Sequence, residues 1–317
     1  VTQTKTYAYF EGKFVPIEEA KVSIMTHAFL YGTAVFEGIR GYWNEKQGEM
    51  YLFRLHEHME RLHNSMKIMD IELPYSVEEM CKLAVELVRK NAPRTDTYVR
   101  PSAYKNAQRI GPGLQDNPSE FYIFTVPFGD YFHGAPGLKV QISSWRRVED
   151  NAIPARGKIV GAYANTALAK TDAVKAGFDD CIVLCENGHV SEGSAMNLFV
   201  VRKGTLVTTQ VSDNILEGIT RSTVIELAEA ELGLKTEVRP VDRSELYIAD
   251  ELFFSGTGAQ VTPIIEVDKR PVGNGDVGPI SARIKELYMK VCHGELPKYN
   301  KWLTPVYKGS KVGASRS

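Results

Sequence analysis

Cysteine is scarce: four in 317 residues, at positions 81, 181, 185 and 292, with no C-x-x-C pair among them. That spacing excludes a disulfide framework and the common thiolate metal motifs. Cys181 and Cys185 lie four apart on an expected strand, hence on one face, and read as buried thiols. Net charge is lacking too, because 38 Lys and Arg stand against 39 Asp and Glu. Nothing in that balance draws the chain to nucleic acid or to an anionic membrane. The longest apolar runs, CIVLC and NLFVV, are strand-length and far short of a membrane span. The opening VTQTKTYAYF has no signal-peptide core, so the expected location is cytoplasmic. No G-x-S-x-G elbow occurs, which argues against a serine hydrolase.

What remains is an ordinary globular composition, 43% hydrophobic and 24% charged. AYFEGKFVP reads as a hairpin, and HEHMERLHNSMKIM as a helix carrying Met59, Leu62, Met66 and Met69 at helical spacing. A second helix should start at Ser76, with Glu79 completing a capping box. TYVRPSAY and EFYIFTVPF read as strands joined by the glycine- and proline-rich loop RIGPGLQDNP. The pattern breaks at GDYFHGAPG. Beyond it come the strand GLKVQISSW, a hairpin around Asn187-Gly188 and another around Lys203-Gly204. Helices are expected at NTALAKTDAVKAG, TRSTVIELAEAEL and ISARIKELYMKV. Strand pairs alternating with lone helices indicate a mixed α/β or α+β architecture without a regular βαβ beat. The expected organisation is an N-terminal α/β domain over 1–128, a loop over 129–137, a larger domain over 138–307 and a disordered tail over 308–317.

Two patterns imitate sites. GNGDVG (273–278) spells G-x-G-x-x-G, but no acidic strand end follows it. The next element is a helix entered through Pro279, so a dinucleotide reading fails. In LHEHMERLH, His56 and His58 are two apart and cannot share an ion on a helix, and both read as surface histidines. No metal is expected.

Other stretches converge on one ligand, a phosphorylated aromatic aldehyde. Lys158, in IPARGKIVGAY, stands among glycines and apolar residues and suits a Schiff base. Tyr163 can hydrogen-bond a ring oxygen, and Glu192 of VSEGSAMNLF can pair with a pyridine nitrogen. ILEGITRSTV brings Gly218 to a helix start, where the Ile219 and Thr220 amides and the Thr220 hydroxyl suit a phosphate. SGTGAQVTP exposes amides at Thr257 and Gly258, and Arg61 offers a cation. Taken singly, each residue has a bland alternative as a surface charge or a core side chain. Their joint occurrence in this order is what carries the reading.

With these motifs in hand, the chain resembles the branched-chain amino acid aminotransferases, class IV, fold-type IV pyridoxal-phosphate enzymes. HAFLYGTAVFEGIR, RLHEHMERLHNSMKI, YVRP, the Lys158 segment, VSEGSAMNLF, LEGITR and ADELFFSGTGAQVTP carry the likeness, from about residue 7 to about 305. It implies an N-terminal two-layer α/β domain, a C-terminal α/β pseudo-barrel, the cofactor pyridoxal 5′-phosphate between them, and a homodimer or larger assembly. Lys158 would be the catalytic lysine. Arg61, Tyr163, Glu192, Leu216, Gly218, Ile219, Thr220 and Thr257 would hold the cofactor. Tyr31, Phe36, Phe128, Tyr131 and Tyr163 would line the substrate side chain, Tyr98, Arg100, Thr257 and Gly258 would take carboxylates, and Arg40 would be a further substrate-binding residue. The implied reaction transfers amino groups between Leu, Ile or Val and 2-oxoglutarate in ping-pong half-reactions. Enzymes of this fold acting on D-amino acids or (R)-amines, and aminodeoxychorismate lyase, share the lysine; YVRP and VFEGIR favour the branched-chain reading. Met196, Gly258 and the polar stretch Ser102–Lys105 depart from common members and bear on side-chain specificity rather than on Lys158 chemistry, whereas the departure at Glu217 is harmless.

Overall fold

The computed structural model describes residues 6–132 and 134–308. The chain forms two compact units, one running to Gly129 and resuming at Lys290, the other spanning Asp130–Met289. The first holds strands β1 (Tyr7–Phe10), β2 (Lys13–Pro16), β3 (Ala34–Phe36), β4 (Ile39–Asn44), β5 (Glu49–Phe53), β6 (Thr97–Lys105) and β7 (Ser119–Pro127). Its helices are α1 (His27–Tyr31), α2 (Leu55–Ile68) and α3 (Val77–Asn91). The second holds β8 (Leu138–Arg146), β9 (Asp180–Leu184), β10 (Val190–Gly193), β11 (Asn197–Arg202), β12 (Thr205–Thr208), β13 (Thr236–Val238), β14 (Glu251–Gly256), β15 (Gln260–Val267) and β16 (Arg270–Pro271). Its helices are α4 (Tyr163–Lys175), α5 (Ile219–Leu232) and α6 (Pro279–Cys292), the last ending in the first unit. A final strand, β17 (Leu303–Pro305), follows.

The first sheet runs β17-β5-β4-β6-β7-β1-β2, with β3 added on β6 and every recorded pair antiparallel. The second runs β10-β9-β8-β15-β14-β11-β12-β13, with parallel pairs at β8·β9, β8·β15 and β12·β13. The mixed architecture follows from the alternation of strand pairs and lone helices. Leu138, Val140, Ile182, Leu198, Val200, Leu252, Phe254 and Ile264 form one buried cluster across the second sheet. Each such side chain contributes about 1.5–3 kcal/mol.

Local chemistry explains most elements. Ser76 accepts from the Glu79 amide at 3.2 Å while Glu79 Oε2 accepts from Ser76 N at 2.8 Å, closing the capping box. Lys203 and Gly204 both take positive φ (50° and 76°) and join β11 to β12 in a two-residue turn. The Asn187-Gly188 hairpin is wider than its dipeptide suggests. Cys185 N donates to His189 O at 2.8 Å, and Gly188 (φ 89°) closes a three-residue loop.

The C-terminal stretch departs from expectation. The sequence reading places residues 290–307 in the large domain, yet β17 pairs with β5 in the first sheet. The cause is Glu49, fully buried, whose carboxylate accepts the amides of Val306, Tyr307 and Lys308 at 3.0, 2.7 and 2.8 Å. One carboxylate on consecutive amides is a strong, charge-assisted anchor, and it has no local sequence signature. The rest of the tail expected at 308–317, from 309 onward, lies outside the described residues.

Candidate active site

In the second unit, Lys158 sits in the loop after β8, and a short 3-10 turn at Val160–Ala162 leads from it into α4. Tyr163, the first residue of α4, therefore comes back to it: Lys158 Nζ donates to Tyr163 Oη at 2.8 Å. The loop is pinned from below by Asn214. Its carbonyl accepts from Arg147 Nε at 2.9 Å, its Oδ1 from Asp150 N at 3.2 Å, and its Nδ2 donates to Glu149 at 2.8 Å. Asn214 takes the left-handed conformation (φ 57°), which asparagine tolerates well.

Glu192, at the end of the 185–189 hairpin, is 4% exposed. One carboxylate oxygen meets Arg147 Nη2 at 2.9 Å, and the other accepts from Asn197 Nδ2 at 3.0 Å and Leu216 N at 3.3 Å. A buried carboxylate is costly unless paired and hydrogen-bonded, and here it is both. Asn197 also donates to Leu216 O at 2.9 Å. It thereby ties the carboxylate to the approach of α5.

Gly218 caps α5, and a Cβ there would stand 1.9 Å from Asn197 Oδ1. Only glycine fits. Ile219 and Thr220 are buried in the first turn, and among the described residues no side chain accepts from their amides. Arg221, also buried, bonds to Thr208 Oγ1 at 3.2 Å and Thr209 O at 3.0 Å. Thr257 and Gly258 form the half-buried turn between β14 and β15, closed by Thr262 Oγ1 donating to Ala259 O at 2.6 Å. Tyr131, also in this unit, is 39% exposed and accepts from Lys170 Nζ at 3.3 Å.

The false fingerprint at GNGDVG is explained in the same unit. The start of α6 is filled by the protein itself: Glu251 accepts from Ile280 N at 2.9 Å and Ser281 N at 2.8 Å.

In the first unit, Arg61 on α2 is gripped by Glu37, with Nε–Oε1 2.7 Å and Nη2–Oε2 2.8 Å. Glu37 also meets His58 Nδ1 at 2.7 Å. Burial pushes this carboxyl upward, but the Arg61 charge and the bonds from Arg61 and His58 overcome it and hold it well below the ordinary range. His58 corrects the sequence reading. Expected on the surface, it is 2% exposed and serves Glu37, whereas His56 is 54% exposed beside Glu60 and Glu78.

Tyr98 and Arg100 share a face of β6, two residues apart. Arg100 donates to Tyr98 Oη from Nε at 3.1 Å and Nη2 at 2.8 Å, and its guanidinium lies 4.2 Å from the Phe36 ring centre. Phe128 lies against Tyr98, with ring centres 5.2 Å apart. Arg40 is buried and bonds to the carbonyls of Phe128 (3.0 Å) and Gly129 (2.6 Å). Tyr31 accepts from Gly111 N at 2.9 Å, fastening the long loop of this unit.

The second unit thus brings Lys158, Tyr163, Glu192, Leu216, Gly218, Ile219 and Thr220 onto connected segments, while Arg61, Tyr98, Arg100 and Phe36 belong to the first. Sequence reasoning missed Glu37, His58, Arg147, Asn197 and Asn214. Glu37, His58 and Asn197 stand inside the family-like motifs, whereas Arg147 and Asn214 carry no local signal.

Known proteins resemble this arrangement throughout. The family model "Amino-transferase class IV" matches residues 34–267. A protein of Aquifex aeolicus named probable branched-chain-amino-acid aminotransferase is 48% identical over 301 residues, 95% of this chain and 97% of that one. A branched-chain aminotransferase of Thermoproteus uzoniensis, solved with norvaline, superposes with a TM-score of 0.91 at 42% identity, over 96% of this chain and 100% of that chain. The branched-chain amino acid aminotransferase of Thermobaculum terrenum, solved in its PLP-form, also gives 0.91, at 39% identity, covering 95% of this chain and 98% of that chain.

Proposed function

The chain belongs to the class IV aminotransferases, and from that premise we propose that it uses pyridoxal 5′-phosphate to transfer amino groups between branched-chain L-amino acids and 2-oxoglutarate. The observation that carries this reading is the Lys158 amine, held 2.8 Å from the Tyr163 phenol in a loop pinned by Asn214.

The residues suit that cofactor. A helix start without an acceptor of its own fits a phosphate, and Gly218 keeps the approach clear because Asn197 already fills the place of a Cβ. Ile219, Thr220 and Thr257 would hold the phosphate, with Arg61 supplying a cation whose plane Glu37 fixes. Glu192 would face the ring nitrogen, Tyr163 the ring oxygen, and Leu216 a ring face. Pyridoxal phosphate, when bound, supplies a sink for charge leaving the substrate α-carbon. Lys158 would carry the proton at that carbon, general acid–base work at short range. Tyr98 and Arg100, with the Thr257 and Gly258 amides, would bind carboxylates. Tyr31, Phe36, Phe128 and Tyr131 would surround the side chain, while Arg40 would act through the Phe128–Gly129 backbone it grips.

The same reading includes a homodimer or larger assembly. Ile24, Phe29 and Ile110 are 78%, 69% and 80% exposed. They lie on segments joined by His27 N donating to Ala107 O and the Thr26–Gln108 bridge. An apolar ridge of that kind suits a second copy. Four free cysteines, with Cys181 and Cys185 pushed up to about 12 and about 11 chiefly by burial, agree with a reducing cytoplasm.

The test is a spectral titration of the protein loaded with pyridoxal phosphate. L-leucine and L-valine should bleach the visible band faster than D-alanine or (R)-1-phenylethylamine. Rapid bleaching by D-alanine with none by leucine would reverse the substrate assignment.

A further inference from the structure

We propose that Arg147 is a positioning residue for the reaction: by pairing with Glu192 it keeps that side chain a carboxylate, so that the proton it shares with the cofactor's ring nitrogen stays on the nitrogen. The inference rests on the function proposed above and deepens it. Its ground is geometry. Arg147 Nη2 lies 2.9 Å from Glu192 Oε1, and the two side chains are 10% and 5% exposed. Arg147 is fixed in turn by Nε donating to Asn214 O at 2.9 Å and by its amide donating to Leu184 O at 2.9 Å.

A proton between a carboxylate and a ring nitrogen settles on the more basic group. A carboxylate in an apolar interior gains proton affinity, and the neutral pair of protonated acid and bare nitrogen becomes the stable one. A buried guanidinium on the far oxygen reverses this, since it favours the anion and leaves cation, anion and protonated ring in alternation. Asn197 Nδ2 and Leu216 N act in the same sense on the other oxygen. Arg221 is a further buried cation whose charge couples to Glu192 as well as to Glu217. Arg221 is committed to Thr208 and Thr209. Among the described residues, Arg147 is therefore a cation that touches the carboxylate directly.

The experiment loads wild type, Arg147→Gln, Arg147→Lys, Glu192→Gln and the double variant R147Q/E192Q with pyridoxal phosphate and titrates the visible band against pH. A ring that loses its proton no longer repels the protonated amine linkage at Lys158, so the midpoint should rise in Arg147→Gln by about one unit or more. Arg147→Lys retains the charge and should stay near wild type, which a purely structural strut would not predict. In the Glu192→Gln background, adding Arg147→Gln should shift the midpoint no further. An unchanged midpoint in Arg147→Gln overturns the proposal, as does a full further shift in the double variant, which would mean that Arg147 acts on the linkage directly. If Arg147→Gln does not fold, the Arg147→Lys midpoint decides, and a value displaced toward that of Glu192→Gln counts against the proposal. A wild-type protein that develops no visible band at all would instead defeat the functional reading beneath it.

Discussion

Two helices of the second unit begin on glycine, α5 after Gly218 and α6 after Gly278, and they begin differently. At α6 the protein supplies its own anion: Glu251 lies on the Ile280 and Ser281 amides, and a Cβ at Gly278 would fall 2.0 Å from its carboxyl carbon. At α5 the nearest polar side chain, Asn197, turns its amide toward Glu192 and Leu216 instead. The dipole is alike in both helices, although Pro279 leaves α6 one first-turn amide fewer than α5. What separates a structural cap from a ligand site is whether the fold has brought its own carboxylate. A glycine motif alone does not report this.

The largest effect belongs to the α5 side. Lys158→Ala should lower turnover by about 10⁴-fold or more while the α5 start still takes up pyridoxal phosphate, read by single-turnover assays beside equilibrium dialysis. Residual turnover within tenfold of wild type would remove Lys158 from the chemistry.

Next comes the paired substitution of the two glycines. Gly218→Ala should weaken pyridoxal phosphate by about 100-fold, roughly 2.7 kcal/mol, because Asn197 must move. Gly278→Ala should leave that affinity within about twofold and instead lower the unfolding free energy of the apoprotein, read from urea titration, by about 1–3 kcal/mol, as Glu251 is displaced from its amides. Equal losses of affinity in both variants would erase the distinction between the two helix starts.

The smallest effect concerns a third buried carboxylate, Glu37, held by the Arg61 guanidinium and the His58 ring, with one amide bond from Gly38 N at 3.3 Å. Its folded pKa lies below the ordinary value. Its stabilisation is therefore complete above the unfolded value of about 4.3 and is lost as pH falls below it toward the folded value. Urea midpoints of wild type should drop between about pH 5 and pH 3, and Glu37→Gln should be less stable at neutral pH with a flatter acid limb. Parallel acid limbs would show that Glu37 does not carry this dependence.

Much of this was legible in the sequence where chemistry and local geometry coincide. The Ser76–Glu79 box, the Lys203-Gly204 turn and the α5 glycine are short-range patterns, and each took the form its residues dictate. Lys158 and Tyr163 were five apart and met through a single 3-10 turn. What escaped detection was long-range compensation. His58 looked like a surface residue because its partner, Glu37, lies 21 positions away. Arg147 could not be told from its neighbour Arg146, since only the return of Glu192 beside it gives it a role. Glu49 gathers a strand from more than 250 residues away through backbone amides, which every sequence offers equally.

The most direct measurement of the central claim is to reduce the pyridoxal-phosphate-loaded protein with borohydride and map the modified peptide by mass spectrometry. The account predicts one phosphopyridoxyl group, on Lys158, displaced by prior treatment with L-leucine. Stable labelling of another lysine in its place, or none after saturation with the cofactor, would contradict it.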